Sequence, residues 1–503
     1  MTPHSQPYDL LIIGGGINGA GIAADAAGRG LKTILCEQGD LASATSSSSS
    51  KLIHGGLRYL EQYEFRLVHE SLAEREVLLR KAPHIIKPLR FCLPHERHLR
   101  PAWMLRMGLF LYDHLSKRVT LPASKSISFN TDTDSPLVNN ITKGFEYSDA
   151  WVEDARLVVL NAMDARNRGA TILPRTRCIE ARRQGDLWQI TLQDQTSKEV
   201  TTISSRALVN AAGPWVNHVF DKALHEAAPN NIRQIRGSHI IVPRIHDQPQ
   251  AYILQNTDGR IVFVIPFEQD FSLIGTTDVE HKTSLDHISI SDDEKQYLIA
   301  VVNKYFKQKI DKADIITSYS GVRPLLDDDA DNPQAITRDY TLELDHSNNQ
   351  PPLLSIYGGK ITTYRKLAEA AVNKLSPFFN EEGKTISQSW TADAPLPGGN
   401  FDSKELLSQK LTTEYPWLPD SLNQRLVANY GTLCYKILGN AESIKDLGEL
   451  IGSDLYEKEV GYLFNSEWAR TAEDILWRRS KLGLRFSKNE IRSLEQLLNT
   501  LNS

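Results

Sequence analysis

The chain is 503 residues long, 41% hydrophobic and 24% charged, with a formal net charge of -5. That is the make-up of a globular protein with room for two or three domains and no global attraction to nucleic acid. Four cysteines, Cys36, Cys92, Cys178 and Cys434, lie far apart with no C-x-x-C, which argues against a zinc site, an iron–sulfur cluster or a disulfide framework and for a reducing compartment. The opening MTPHSQPYD has no basic-then-apolar leader, and no apolar run reaches about 18 residues. The expectation is a cytoplasmic protein that does not span a membrane.

The first predicted elements are the most specific. Leu10 to Ile13 form a continuous apolar run, as a parallel strand covered on both faces requires. Gly14, Gly16 and Gly19 follow as G-x-G-x-x-G, and Gly21 to Gly28 continue a small-residue helix. In this pattern the first glycine makes a tight turn, the second lets the backbone approach a pyrophosphate, and the third permits close helix–strand packing. The helix N-terminus then faces the phosphates. LKTILCE is a second strand ending in Glu37, near the ~20-residue offset at which an acid accepts bonds from a ribose 2′-hydroxyl. A glycine triplet alone is weak evidence, but strand, helix, second strand and acid stand in register here. Glu37 favours FAD or NAD over NADP.

Next comes ATSSSSSKLIHGGLRYLE, Ala44 to Glu61. Alone, five serines would read as a flexible hinge. Placed after a dinucleotide-type turn, their hydroxyls and amides can donate to a pyrophosphate that one helix end leaves unsatisfied. Lys51, His54, Gly55, Gly56, Arg58 and Tyr59 follow at once.

EFRLVHESLAEREVLLRKAP predicts an amphipathic helix ending at Pro83. Arg90 to Arg118 mixes arginines and histidines with Trp103, Met104, Leu105, Met107, Leu109, Phe110 and Leu111. Its residues suit either a core helix with a basic outer face or a segment lying in an anionic lipid interface. VEDARLVVLNAMDARNRGATILP predicts helix, Gly169 stop and strand, and ALVNAA a buried strand turned into the next helix at Gly213-Pro214. From Arg236 to Asp278 apolar stretches alternate with turn residues and no helix intervenes, which predicts a second domain. The acidic run LLDDDADNP, Leu325 to Pro333, lacks calcium-loop spacing and reads as a solvated loop, so no metal is expected. LLSIYGGKITTYRKLAEAAVNKL returns to strand, Gly358-Gly359 and helix, a place where amides can come close to a ring or carbonyl. SPFFNEEGKTISQSWTADAPLPGG reads as a linker, and Phe401 to Ser503 as helical.

GGGINGAG, SSSSSKLIHGGLRYLE, ALVNAAGPWV, YSGVRPLL, SIYGGKITTYRKLAE and EWARTAEDILWRRSKLGL occur in that order along nearly the whole chain. Together they resemble the FAD-dependent glycerol-3-phosphate dehydrogenases of the aerobic respiratory type. The resemblance implies an α/β fold: a Rossmann-like FAD domain of the glycine oxidase and D-amino-acid oxidase type, an inserted β-sheet substrate domain and an α-helical C-terminal domain. The FAD domain is then expected in three segments, 1–85, 146–225 and 321–385. Residues 86–145 would carry the basic, membrane-facing segment and part of the substrate domain, 226–320 the rest of it, 386–400 a linker and 401–503 the helical domain. Thr45, Ser46, Ser50 and Lys51 are implied to contact FAD phosphates. Gly213, Gly358, Gly359 and Thr362 are implied to complete the cofactor site begun by Gly14, Gly16, Gly19 and Glu37.

Oxidising a secondary alcohol on a flavin needs the C–H carbon over N5, a base for the hydroxyl proton and cations for an anionic substrate. Arg58, Arg323, Arg338 and Lys360 are candidates for the last of these, since such groups match phosphate oxygens. By resemblance, Arg323 and Arg338 hold the phosphate region, with Arg58, Tyr59, Thr276 and Lys360 nearby. His54 is the candidate base, and Arg323 can instead stabilise a developing alkoxide. The reaction implied is hydride transfer from C2 of sn-glycerol 3-phosphate to FAD, giving dihydroxyacetone phosphate, with electrons passed to a ubiquinone-type quinone. That tips Arg90 to Arg118 towards peripheral contact with an anionic surface of the cytoplasmic (inner) membrane. An FAD oxidase releasing hydrogen peroxide is the nearest alternative, and a flavin-binding regulatory protein without turnover the remote one. The sequence does not assign an oligomeric state; a homodimer is left open.

Overall fold

The computed structural model describes residues 6–96, 100–129, 134–327, 339–346, 350–379 and 386–502, with all their side chains but those of Arg58, Glu61 and Gln62. It opens with β1 (Tyr8–Ile13), α1 (Ile17–Gly28) and β2 (Thr33–Cys36), followed by α2 (Phe65–Lys81), α3 (Ala102–His114) and α4 (Asp154–Asn167).

Two sheets organise the chain. In the first, β1 pairs in parallel with β2 on one side and with Val200–Asn210 on the other, and the latter pairs in parallel with Leu353–Gly358. Where both faces are covered, at Leu10–Ile13, Ile34–Cys36 and Ala207–Val209, these strands are apolar. One face carries α1, α4 and the helix Tyr364–Leu375. The fit is close because α1 presents small residues: a Cβ on Gly21 would lie 2.8 Å from the Tyr364 ring. The other face packs Leu11, Ile34 and Leu208 against Trp188 of the hairpin Thr176–Gln184/Leu187–Asp194.

The second sheet runs in the order Val279–Glu280, Ile232–Pro243, Phe271–Gly275, Ile261–Phe267, Ala251–Gln255, Ile86–Pro94, Lys143–Val152, Leu52–Ile53, with Thr317–Leu326 also beside Ile232–Pro243. Alternation along its strands feeds two cores. One joins Phe91, Ile253 and Leu273 to Leu67 and Leu72 of α2 and to Leu109 and Tyr112 of α3. The other joins Val242, Leu254 and Ile274 to Leu298 and Val302 of the helix Asp292–Tyr305. The boundaries expected at 145/146 and 320/321 fall inside Lys143–Val152 and Thr317–Leu326 of this sheet. A two-residue period reports that a segment is a strand, not which sheet it joins.

Beyond residue 400 come the helices Lys404–Glu414, Asp420–Tyr430, Glu457–Ser466 and Lys488–Asn502, with a π-helical turn, Asp474–Arg479, between the last two that packs against α4 and Glu457–Ser466. Leu411, Leu426, Leu463 and Leu476 belong to the same buried cluster as Leu10, Ala23 and Leu157, so the helical region is packed onto the first sheet's helical layer. The connector at 386–400 is packed rather than slack. Its Trp390 fills the space above Gly28 and lies 3.5 Å from the Arg168 guanidinium, while Lys81 donates to the carbonyl oxygens of Thr391 and Ala394. Of the acidic run, residues 328–333 lie outside the described residues.

Across the seam, Arg156 of α4 meets Glu467 with both partners fully buried, and its guanidinium lies 5.0 Å from the Tyr430 ring. Removing one member of a buried pair strands the other, at a cost of about 3–5 kcal/mol. Arg156→Met should therefore lower the urea midpoint markedly, and Arg156→Met with Glu467→Leu should recover most of the loss. Tryptophan fluorescence during urea unfolding measures both; a single variant as stable as the parent would remove this pair from the seam's energetics.

Candidate active site

A cavity of ≈ 1340 Å³ is walled by residues of both sheets, larger than the roughly 300–1,000 Å³ of a drug-sized site. It is lined by Gly14, Gly16, Glu37 and the serine tract, and by His54, Tyr59, Thr276, Arg323 and Gly358 to Lys360; Asn18 of α1 donates to the Gly358 carbonyl (3.3 Å), which joins the two groups. An apolar arm continues past Phe91 and Leu93 to Met104, Leu105, Met107 and Leu111 of α3.

The turn after β1 sets the first group. Gly14 has φ +115°, and a Cβ there would fall 2.4 Å from the carbonyl oxygen of Ala211. A Cβ on Gly19 would lie 1.9 Å from the oxygen of Gly14, so α1 seats on β1 only with glycine at that position. Gly16 is the N-cap of α1 and supplies no side chain to its amides, which leaves a partial positive charge facing the cavity. Glu37 directly follows β2 and accepts hydrogen bonds from the amides of Gly15 (2.7 Å) and Gly39 (2.8 Å). Burial pushes its carboxyl up, and those two amides pull it back.

The serine tract is fixed by distant partners. Thr45 Oγ1 donates to the carbonyl of Val322 (2.6 Å), Ser46 Oγ accepts from the amide of Ile17 (3.0 Å), and Ser49 Oγ donates to Asp154 (2.8 Å). Ser50 Oγ shares a 2.8 Å hydrogen bond with His239 Nε2. Burial, then the charges of Arg323 and Lys51, push His239 down to about 3, so it stays neutral. Lys51 does not face the cavity. Its ammonium turns inward to Asp154 at 2.6 Å, and both are buried.

In the second group Arg323 Nη1 donates to Asp278 Oδ1 at 2.5 Å, and Nη2 lies 3.5 Å from Thr276 Oγ1. A Cβ on Gly237 would lie 2.6 Å from Thr276 Oγ1 and 2.8 Å from Arg323 Nη2, so a side chain there would displace both groups from their present positions. The Lys360 ammonium lies 3.6 Å from the centre of the Tyr59 ring. The His54 amide donates to Thr362 Oγ1 (3.3 Å). The amide of Gly55 is held by Tyr112 of α3 (2.8 Å) and by Asp149 (3.2 Å), and Asp149 is paired with Arg75 at 2.6 Å.

The cavity thus gathers Gly14, Gly16, Glu37, Thr45, Ser46, Ser50, His54, Tyr59, Gly213, Thr276, Arg323, Gly358, Gly359 and Lys360. Gly19 and Thr362 stand behind its wall, and Lys51 faces away. The side chain of Arg58 and the whole of Arg338 lie outside the described residues. Sequence reasoning missed Asp278, Asp154, Gly237 and His239. GSHIIVP reads as a plain strand, yet its alternation puts Gly237 and His239 on one face, and a histidine in an apolar strand was the signal available. Among the described residues no group of three or more His, Cys, Asp or Glu side chains is placed to hold a metal ion.

Residues 9–365 match the family described as FAD dependent oxidoreductase, and residues 389–503 match the C-terminal domain of alpha-glycerophosphate oxidase. The glycerol-3-phosphate dehydrogenase of Pseudomonas aeruginosa is 56% identical over 498 residues, covering 99% of this chain and 96% of its own. The aerobic glycerol-3-phosphate dehydrogenase of Escherichia coli is 53% identical over 494 residues, 98% of this chain and 97% of its own. Among solved structures, the glycerol-3-phosphate dehydrogenase from Bacillus halodurans complexed with FAD superposes with a TM-score of 0.76 at 25% identity, over 99% of this chain and 95% of that one. The two-sheet arrangement is the FAD fold of the glycine oxidase type, with a helical C-terminal domain. The chain belongs to the FAD-dependent oxidoreductases, in the glycerol-3-phosphate dehydrogenase family.

Proposed function

We propose that this protein oxidises sn-glycerol 3-phosphate to dihydroxyacetone phosphate on FAD and passes the electrons to a quinone at a membrane surface. The observation that carries this reading is a single cavity lined by a glycine-bearing helix N-terminus, a buried acid and the cations Arg323 and Lys360. The residues present fit FAD. Gly16, Thr45, Ser46 and Ser50 would hold the pyrophosphate, Thr45 through its backbone because its hydroxyl donates to Val322; Gly14 would make the turn, Glu37 would take the adenosine ribose, and Gly213, Gly358 and Gly359 would let the backbone approach. Gly19 acts by closing α1 onto β1, Thr362 by holding the His54 amide, and Lys51 by fixing Asp154 under Ser49.

FAD, when bound, supplies the acceptor for the hydride of substrate C2. Arg323 keeps one edge of its guanidinium on Asp278 and offers the rest to the substrate phosphate, alongside Thr276, Tyr59 and Lys360, with Arg58 and Arg338 assigned the same role from their motifs. A ring nitrogen of His54 accepts the proton of the C2 hydroxyl, and Arg323 stabilises the oxygen as charge develops. Fixing both ends of a small substrate in one geometry is itself a large part of the rate.

Anaerobic addition of glycerol 3-phosphate to the purified flavoprotein is expected to bleach the oxidised flavin band, and an unchanged spectrum would mean a flavin-binding protein without turnover. Under air, rapid reduction of quinone analogues with little peroxide is expected; stoichiometric peroxide would identify the oxidase instead. Arg323→Ala should raise the half-bleaching concentration about 10- to 150-fold, because hydrogen bonds to a charged group contribute about 1.5–3 kcal/mol. An unaltered titration removes Arg323 from the site.

α3 supports the membrane part of the reading. Its inner residues Leu109 and Tyr112 are buried, while Trp103 is 65% and Phe110 53% exposed, and Met107 and Leu111 lie on the same open side. Arg100, His114 and Lys117 stand around this surface. Among the described residues no helix is long and apolar enough to cross a membrane, so contact would be along the interface. Trp103→Ser with Phe110→Ser is expected to weaken co-sedimentation with phosphatidylglycerol-containing vesicles by about 150-fold or more, since burying each such side chain is worth about 1.5–3 kcal/mol. Reduction of a water-soluble dye should not change; equal sedimentation would take α3 out of the interface.

A further inference from the structure

The turn that follows β2 carries two acids facing opposite ways. Glu37 lines the cavity. Asp40 points away from it, is 4% exposed, and is gripped from the C-terminal domain. Arg479 Nη1 and Nη2 donate to Asp40 Oδ2 and Oδ1 at 2.6 and 2.8 Å, and Arg478 Nε donates to Oδ2 at 2.7 Å. Each arginine is itself held: Arg478 by Glu473 (2.7 Å) and Asp474 (2.5 Å), and Arg479 by the carbonyl oxygen of Glu467 (2.6 Å).

The grip reaches Glu37 through the backbone. Glu37 Oε1 accepts from the Gly39 amide, the Gly39 carbonyl accepts from the Arg175 amide (2.7 Å), and the Glu37 carbonyl accepts from the Thr176 amide (2.7 Å). The Arg175 guanidinium returns to Asp474 at 2.5 Å. A little further on, Lys481 Nζ lies 3.0 Å from Glu153, the neighbour of the Asp154 that holds Ser49 and Lys51. Asp474 to Lys481 therefore stands behind both the acid turn and the serine tract while lining none of the cavity. Stability is a poor explanation for so many buried charges, because apolar packing of equal volume stabilises as much or more. What such a network fixes is position.

We propose that Arg478 and Arg479 are positioning residues for the cofactor. By holding Asp40 they set the Glu37–Gly39 turn so that the Glu37 carboxylate meets the ribose hydroxyls of the adenosine half of FAD. This rests on the reading of the cavity as an FAD site. The C-terminal domain thereby selects for the adenosine half of a cofactor that it does not touch.

The test uses full-length protein stripped of flavin and reconstituted with FAD or with its 2′-deoxyadenosine analogue. The parent should bind FAD about tenfold more tightly than the analogue, the scale of one lost hydrogen bond to a carboxylate. Asp40→Asn and Arg478→Lys should each raise the Kd for FAD about tenfold or more and abolish the preference, while the KM for glycerol 3-phosphate at saturating FAD stays within about twofold. A parent without preference, variants that keep it, or variants that lose both flavins by one factor overturn the proposal. A parent that takes up no flavin overturns the underlying reading instead. Hydrogen exchange on the parent needs no variant to fold: FAD should slow exchange across Asp474 to Lys481 as well as across Glu37 to Ser43, and protection confined to the second stretch also refutes the clamp.

Discussion

The rest of this structure depends on a backbone contact rather than on any side chain. Three main-chain segments meet where β1 turns into α1: a Cβ on Gly14 would strike the oxygen of Ala211, and one on Gly19 the oxygen of Gly14. Only because these chains touch does the N-terminus of α1 open on the cavity. The features around it then attach to amides that this turn exposes. Ser46 caps Ile17, and Glu37 binds the amide of Gly15. A methyl group at Gly19 would push α1 off β1, and one at Gly14 would push the turn off the segment at Ala211. The constraint is steric, and the polar contacts are its consequences.

Topology explains why the site lies where it does. β1, β2, Val200–Asn210 and Leu353–Gly358 run parallel, so their carboxyl ends point the same way. Gly14, Glu37, Gly213 and Gly358 follow those ends, and all line the cavity, as open parallel sheets place their ligand sites. The second sheet adds what the first lacks. Its strands bring Thr276, Arg323 and, through the glycine at 237, the room for both in their present positions. Arg323 thus comes from a mostly antiparallel sheet whose strands can carry polar residues on one face, whereas the parallel strands contribute backbone at the glycines and the charged side chains of Glu37 and Lys360 just beyond their ends.

How much of this was legible depends on the range over which each feature is specified. Strand, turn, helix and terminal acid from Leu10 to Glu37 are local, as are the Gly358-Gly359 turn and the helicity after residue 400. The serine tract was readable as a candidate because of its neighbours, but not the direction of each side chain. Lys51 is drawn inward by Asp154, more than a hundred positions along the chain, and Ser50 is held by His239. Nothing within a window around Lys51 distinguishes a lysine facing a phosphate from one facing a buried aspartate. The connector at 386–400 was misleading for a related reason. Pro, Gly and polar residues announce irregular backbone, yet Trp390 and Leu396 still pack, and irregular is not the same as slack.

The two turns that bracket the cavity are supported in one way, and the reason is chemical. Each presents a backbone amide to the interior, Gly55 in one and Gly39 in the other. A buried N–H must find an acceptor or cost the fold the lost hydrogen bond. Apolar packing cannot supply one, so each turn has an acid at hand: Asp149 for Gly55 and Glu37 for Gly39. A buried acid in turn needs compensation. Burial pushes Asp149 up, and Arg75, Tyr112 and the Gly55 amide pull it back. Positioning such a turn therefore requires donors on further elements. Tyr112 comes from α3, whose outer surface carries Trp103 and Phe110. The turn that carries His54 and Gly55 is thus held by one side chain of α3, Tyr112, and by the buried acid that this side chain shares with Arg75.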